Sequence, residues 1–148
     1  MPVSRKILCA LYGLIALLAL LGTWAHNIAY LPHGLVGANL AFWHDTLANP
    51  ASRSITVDLF FLGAAVLVWM ILEARRLGMR GVWWYVLGGM LIAISVTVPL
   101  FLINRELALH EREPSRHAGT LGVADIIGLI VVIAASTGYA VFGWLHGG

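Results

Sequence analysis

Charge is what this chain has least of. Asp, Glu, Lys and Arg together make up 11% of its 148 residues, less than half the roughly 25% of an ordinary soluble domain. That shortage excludes the solvated surface a water-soluble fold would need. The formal net charge of +2 is too small to argue for nucleic acid, and no basic patch with interleaved aromatics accompanies it, so no nucleic-acid partner is expected. Cysteine is nearly absent as well. Cys9 is the single one, which leaves no disulfide framework and no thiolate metal site.

What is present is apolar. Hydrophobic residues make up 60% of the chain and the mean hydropathy is +0.88. A small soluble domain buries only part of its surface, so this much apolar side chain calls for a bilayer. Crossing ~30 Å of hydrocarbon takes about 20 mostly apolar residues. Four stretches qualify: Ile7 to Trp24, Ser54 to Leu72, Val82 to Ile103 and Leu121 to Leu145. Each must satisfy its own backbone polar groups in lipid, which predicts helices. The expected fold is all-α, a single membrane domain over 1–148 built as a bundle of four transmembrane helices.

The first stretch follows Arg5 and Lys6 and ends near Thr23-Trp24-Ala25, which invites a signal-peptide reading. Bulky residues make that a poor cleavage site, so the stretch is read as a retained helix. Counting Lys and Arg in short loops puts Arg5, Lys6, Arg75, Arg76 and Arg80 on one side and Arg53, Arg105, Arg112 and Arg116 on the other. Acids dilute the second group more than the first. The expectation is a multi-pass protein of a bacterial inner membrane with both termini cytoplasmic. Trp24, Tyr30, Trp43, Trp83, Trp84, Tyr85 and Trp144 fall near span ends, where amphipathic rings favour the headgroup level.

In the first outer loop Val36, Leu40, Trp43 and Leu47 recur at helical spacing, which predicts a short amphipathic helix on the membrane surface or capping the bundle. Asn49-Pro50 then supplies a cap and a first-turn proline for the second span. The second outer loop, 104 to 120, reads as solvated and of mixed charge. His26, His33, His44, His110 and His117 all fall on this outer side. None of them shows the spacing that sets two imidazoles on one helical face, so neither a metal centre nor any other cofactor is expected.

Asp58 lies inside the second apolar stretch, where an acid costs about 2.5–3.5 kcal/mol and ordinarily faces an interior. Asp125 opens the fourth stretch, and Arg105 closes the third on the same predicted side. These three are expected to converge, as a structural ion pair or as a proton-donating or ligand-orienting group. Pro99, Ser95 and Thr97 would line a polar pocket at that depth. Trp43, His44 and Asp45 are candidate binding residues beside them, and Glu73 with Arg76 reads as an ordinary i,i+3 pair.

Phe42-Trp43-His44-Asp45, Asn49-Pro50-Ala51-Ser52-Arg53-Ser54, Asp58, Trp69, Glu73-Ala74-Arg75-Arg76-Leu77-Gly78 and Pro99-Leu100-Phe101-Leu102 together carry a resemblance. Over residues 5–106 the chain resembles a bacterial family of small polytopic membrane proteins catalogued as a domain of unknown function. The resemblance implies membrane residence and brings no activity, cofactor or catalytic residue. The leading reading is an accessory subunit or a small-molecule or lipid-binding bundle with a polar site in its outer half. An alternative is an enzyme acting on a prenyl or lipid substrate, by analogy to small polytopic terpene cyclases. There Asp58 would be the catalytic acid, and Trp43 or Trp69 would steady cationic charge. A transporter would need an oligomer, since the halves show no inverted repeat. The expected partners are the bilayer and a larger membrane complex or further copies of the chain.

Overall fold

The computed structural model describes residues 3–112 and 122–146. They are helical almost throughout, with no strand among the described residues. α1 spans Val3–Asn27 and runs on as a tighter 3-10 segment, Ile28–His33. α2 is Gly34–Asp45, α3 Pro50–Arg76, α4 Val82–Gly88, α5 Ile94–Arg112 and α6 Val123–His146. A wider π-type turn, Gly89–Ala93, joins α4 to α5. Four helical runs are long and apolar enough to cross a membrane: Val3–His33, Pro50–Arg76, Val82–Arg112 and Val123–Phe142. Their apolar residues face outward, since the most apolar windows of these runs are at most 28% buried within the protein. This is the inside-out distribution of a helical membrane bundle.

Local chemistry explains the boundaries. Asn49 is extended and its side-chain oxygen accepts from the Ser52 amide at 2.9 Å, while Pro50 takes the first helical position. α2 forms as the spacing of Val36, Leu40 and Trp43 predicts but ends before Leu47, and the Val36 and Leu40 side chains are exposed, which suits a helix against a membrane surface. α5 passes through Pro99 without ending. The loop expected over 104–120 is helical as far as Arg112. The remainder, with Glu113, Pro114, Arg116 and His117, lies outside the described residues, as does the Trp144 side chain.

The third run does not continue straight. Tyr85 and Phe101 meet edge to face at 5.6 Å, and Asn104 donates to the Tyr85 hydroxyl nineteen residues back. A straight α-helix would hold that pair ~28 Å apart. The chain therefore doubles back at Gly89–Ala93, and α4 and α5 lie side by side. Gly88 and Gly89 allow the approach, because a Cβ on either would stand 3.0–3.1 Å from the Thr97 side chain.

Two contacts fix the direction of α5. A Cβ on Gly63 would meet Ile94 at 3.1 Å, and Glu73 bonds Arg105. α5 thus runs parallel to α3, with α4 tucked between them. Met70, Ala74, Val82 and Phe101 form the buried core at that end, flanked by Leu67, Ile71 and Tyr85. α1 packs along α5 in the opposite direction, from Arg5 beside Glu106 to the π-type turn. α6 packs on α1. Its half-covered residues Leu129, Ile133, Thr137 and Ala140 form one stripe, and Ala140 closes on Gly22. Gly138 has nothing near it.

Phe101 is fully buried and touches α3 and α4 through the Trp69 and Tyr85 rings. Phe101→Ala is expected to destabilise the protein by roughly 2–3 kcal/mol in detergent. That is below the ~3–5 kcal/mol of a water-soluble core, because lipid-like chains solvate apolar groups in the unfolded reference state. Thermal denaturation against the parent chain measures it.

Candidate functional site

Polar chemistry gathers at two opposite ends. At the first, five charged side chains form an alternating line across three helices. The Arg76 guanidinium donates twice to Glu73, 2.7 Å to each carboxylate oxygen. Arg105 donates from Nε to Glu73 at 2.7 Å and from Nη1 to Glu106 at 2.8 Å. Arg5, only 1% exposed, donates to the Glu106 backbone carbonyl at 3.1 Å and lies 3.7 Å from its carboxylate. Each acid sits between two guanidiniums, so neither is buried uncompensated, which is the condition for holding charge in a low-dielectric place.

This arrangement corrects the expected placement of Arg105. Its partners are Glu73 and Glu106 at the Arg5 end, not Asp58, because the reversal at Gly89–Ala93 returns α5 to the side from which α4 starts. His110, on the same stretch of α5, moves with it and parts from His26, His33 and His44. Glu73 with Arg76 is the i,i+3 pair read from the sequence, and it belongs to the larger network.

At the other end, aromatic rings and one acid assemble around α2. The Tyr30 hydroxyl donates to Asp45 at 2.8 Å, and His44 Nδ1 lies 3.3 Å from the other Asp45 oxygen. Together these hold the exposed Asp45 carboxyl below its ordinary range, the Tyr30 bond contributing most. Phe42 packs edge-on against both Tyr30 and Trp43, and Trp43 stacks on Phe60 of α3 at 5.4 Å. An open depression of about 320 Å³ lies between these elements, lined by Tyr30, Phe42, Asp45, Thr46, Ser52, Ile55 and Thr56. The Thr46 and Thr56 hydroxyls are committed to the carbonyls of Trp43 and Ser52. Asp45, Tyr30 and the Ser52 hydroxyl are the polar groups that remain.

The structure brings Trp43, His44 and Asp45 together and leaves the other candidates apart. Asp58 is exposed and makes no hydrogen bond or ion pair among the described residues. Five residues from Gly63, it stands ~140° around α3 from the packed face. Asp125 accepts from the Gly122 amide at 2.9 Å and caps the start of α6. Thr97 turns its hydroxyl to the Ala93 carbonyl at 3.4 Å, beside the glycines of the reversal. Sequence reasoning missed Tyr30 as a partner of Asp45, and missed the pairing of Glu106 with Arg5 and Arg105. The available signal was the paired glycine in the middle of the third apolar stretch.

Fold and sites define a small helical membrane protein with charges paired at one end and an aromatic, acidic depression at the other. Residues 11–107 match a family described as a protein of unknown function, DUF2834, and the chain belongs to it. That match spans α2 to α4 completely, with most of α1 and α5. No curated protein and no solved structure matches the chain.

Two substitutions distinguish the charge network from the isolated acid. Glu73→Gln strips a partner from both Arg76 and Arg105 and is expected to cost about 2–3 kcal/mol. That is less than the ~3–5 kcal/mol of a fully buried pair, since Arg76 reaches solvent. Asp58→Asn is expected to stay within about 0.5 kcal/mol of the parent. Melting both variants in one detergent checks the order; the reverse order would restore the Asp58–Arg105 pairing.

Proposed function

We propose that this protein is a non-enzymatic binding bundle of a bacterial inner membrane, an accessory component whose outer end takes a small amphipathic ligand. The observation that carries this reading is the depression at α2. It combines an ionised carboxylate, oriented by Tyr30, with the Phe42 ring and Ile55. Such a site suits a molecule with an apolar or aromatic body and a cationic or hydrogen-bond-donating head. Acid catalysis by Asp58 finds less support. The carboxyl stands away from the packed face of α3, while Trp69 packs on Phe101 toward the other end.

The distribution of cations supports an orientation. Arg5, Lys6, Arg75, Arg76, Arg80, Arg105 and Arg112 gather at the network end, and among the described residues only Arg53 stands at the other. This is a far stronger bias than the loop count made with a straight third span, and it favours the network end as cytoplasmic. With α5 returning to that end and α6 lying along α1, the far end of α6 falls on the opposite face. In this reading one terminus lies on each side, where the loop count alone would put both in the cytoplasm. A reporter active only outside the cytoplasm, fused after α6, is expected to be active, and the same reporter in the 77–81 turn silent.

Ligand binding is tested on the full chain in nanodiscs by titrating an aryl-alkyl ammonium probe and following Trp43 fluorescence, with Trp43→Phe as the blank. Asp45→Asn is expected to weaken the ammonium probe about tenfold, the worth of one charge-assisted hydrogen bond. The uncharged amide analogue should respond far less. Because the Asp45 carboxyl is held below its ordinary range, binding should persist as pH falls to the usual carboxylate value and fade only below it. Equal binding of the probe by parent and Asp45→Asn would defeat the reading.

A further inference from the structure

The doubling back of α5 creates a basic surface that no linear stretch of sequence contains. Arg112, the last residue of α5, lays its guanidinium over Gly78, which has φ +56° in the turn between α3 and α4. Arg75 and Arg80 flank the same turn. All three arginines are exposed, and none makes an ion pair with another described residue. Of the nearby acids, Glu73 and Glu106 are already held by Arg76, Arg105 and Arg5, and the exposed Glu111 makes no ion pair among the described residues. The first turn of α4 adds Trp83 and Trp84, 56% and 76% exposed.

We propose that this surface docks the headgroups of anionic phospholipids in the adjoining leaflet. Arg75, Arg80 and Arg112 take the phosphates, and Trp83 and Trp84 sit at headgroup level beside them. Guanidinium forks match phosphate oxygens in pairs, and cations near an acidic leaflet are drawn to it. The two indoles favour a lipid over a free anion, because exposed tryptophan beside arginine suits the boundary between chains and headgroups. The surface lies at the opposite end from the α2 depression, so its test is independent of the ligand reading.

The experiment uses the full chain in nanodiscs of phosphatidylcholine alone or of equal parts phosphatidylcholine and phosphatidylglycerol. Thermal unfolding and retained phosphatidylglycerol are both measured. The parent chain is expected to melt higher in the acidic discs and to retain phosphatidylglycerol through purification. The triple variant R75Q/R80Q/R112Q should melt like the parent in neutral discs, lose the gain and retain on the order of tenfold less acidic lipid. R53Q, at the other end, should keep the whole gain. If the triple variant fails to fold, R80Q alone, which removes one unpaired guanidinium, should show a partial loss of retention. The proposal is overturned if the parent gains nothing from acidic lipid or if the arginine variants retain as much as the parent. It is overturned equally if inorganic phosphate reproduces the gain in neutral discs.

Discussion

Glu73 and Arg105 lie 32 positions apart in the chain and 2.7 Å apart in space, and the architecture follows from how they meet. An acid near the end of one apolar helix needs a cation at its own depth. Arg76, one helical turn further along the chain, supplies one and reaches solvent. Arg105 supplies the second from inside, from the second half of α5, which runs parallel to α3. Parallel neighbours need a connection that returns to the starting level, and α4 with its π-type turn is that return. Glu106 follows Arg105 directly and draws in Arg5, so the same line of charges seats α1 against α5.

The two ends of the molecule consequently differ in character. Within the network the five charged groups are occupied by one another, and their task is to set helix register. At the α2 end a carboxylate is oriented by a phenol and a histidine but remains open to solvent beside aromatic rings. The depression thus leaves a carboxylate available to something outside the chain, as the arginines around the turn between α3 and α4 are at the other end. The acid that attracted most attention as a catalyst, Asp58, belongs to neither end.

Much of this was legible in the residues. Apolar run length and the scarcity of charge define a membrane bundle, Asn49-Pro50 marks the start of α3, and the spacing of Val36 and Leu40 marks α2. The grouping of Trp43, His44 and Asp45 was also visible, because neighbours on a short helix stay together however the helix is oriented. The partners of Arg105 were not visible. Hydropathy averages over a run and carries no record of direction within it, so a stretch that folds back on itself reads like one that continues. Gly88-Gly89 do make a packing contact, and it is with Thr97 of their own run. Once that reversal was missed, Arg105, His110 and Arg112 were all assigned to the wrong end together.

The seating of α6 on Gly22 and its neighbours has a consequence for how the protein is built. Residues 11–107, the part shared with the family, contain most of the charge line and the entire α2 depression. α6 lies beyond that part and adds a stripe of side chains along the outside of α1 without entering either constellation. It behaves as an outrigger. Neither the charge line nor the depression draws a side chain from α6, so the joinery inside makes its contacts without the last helix.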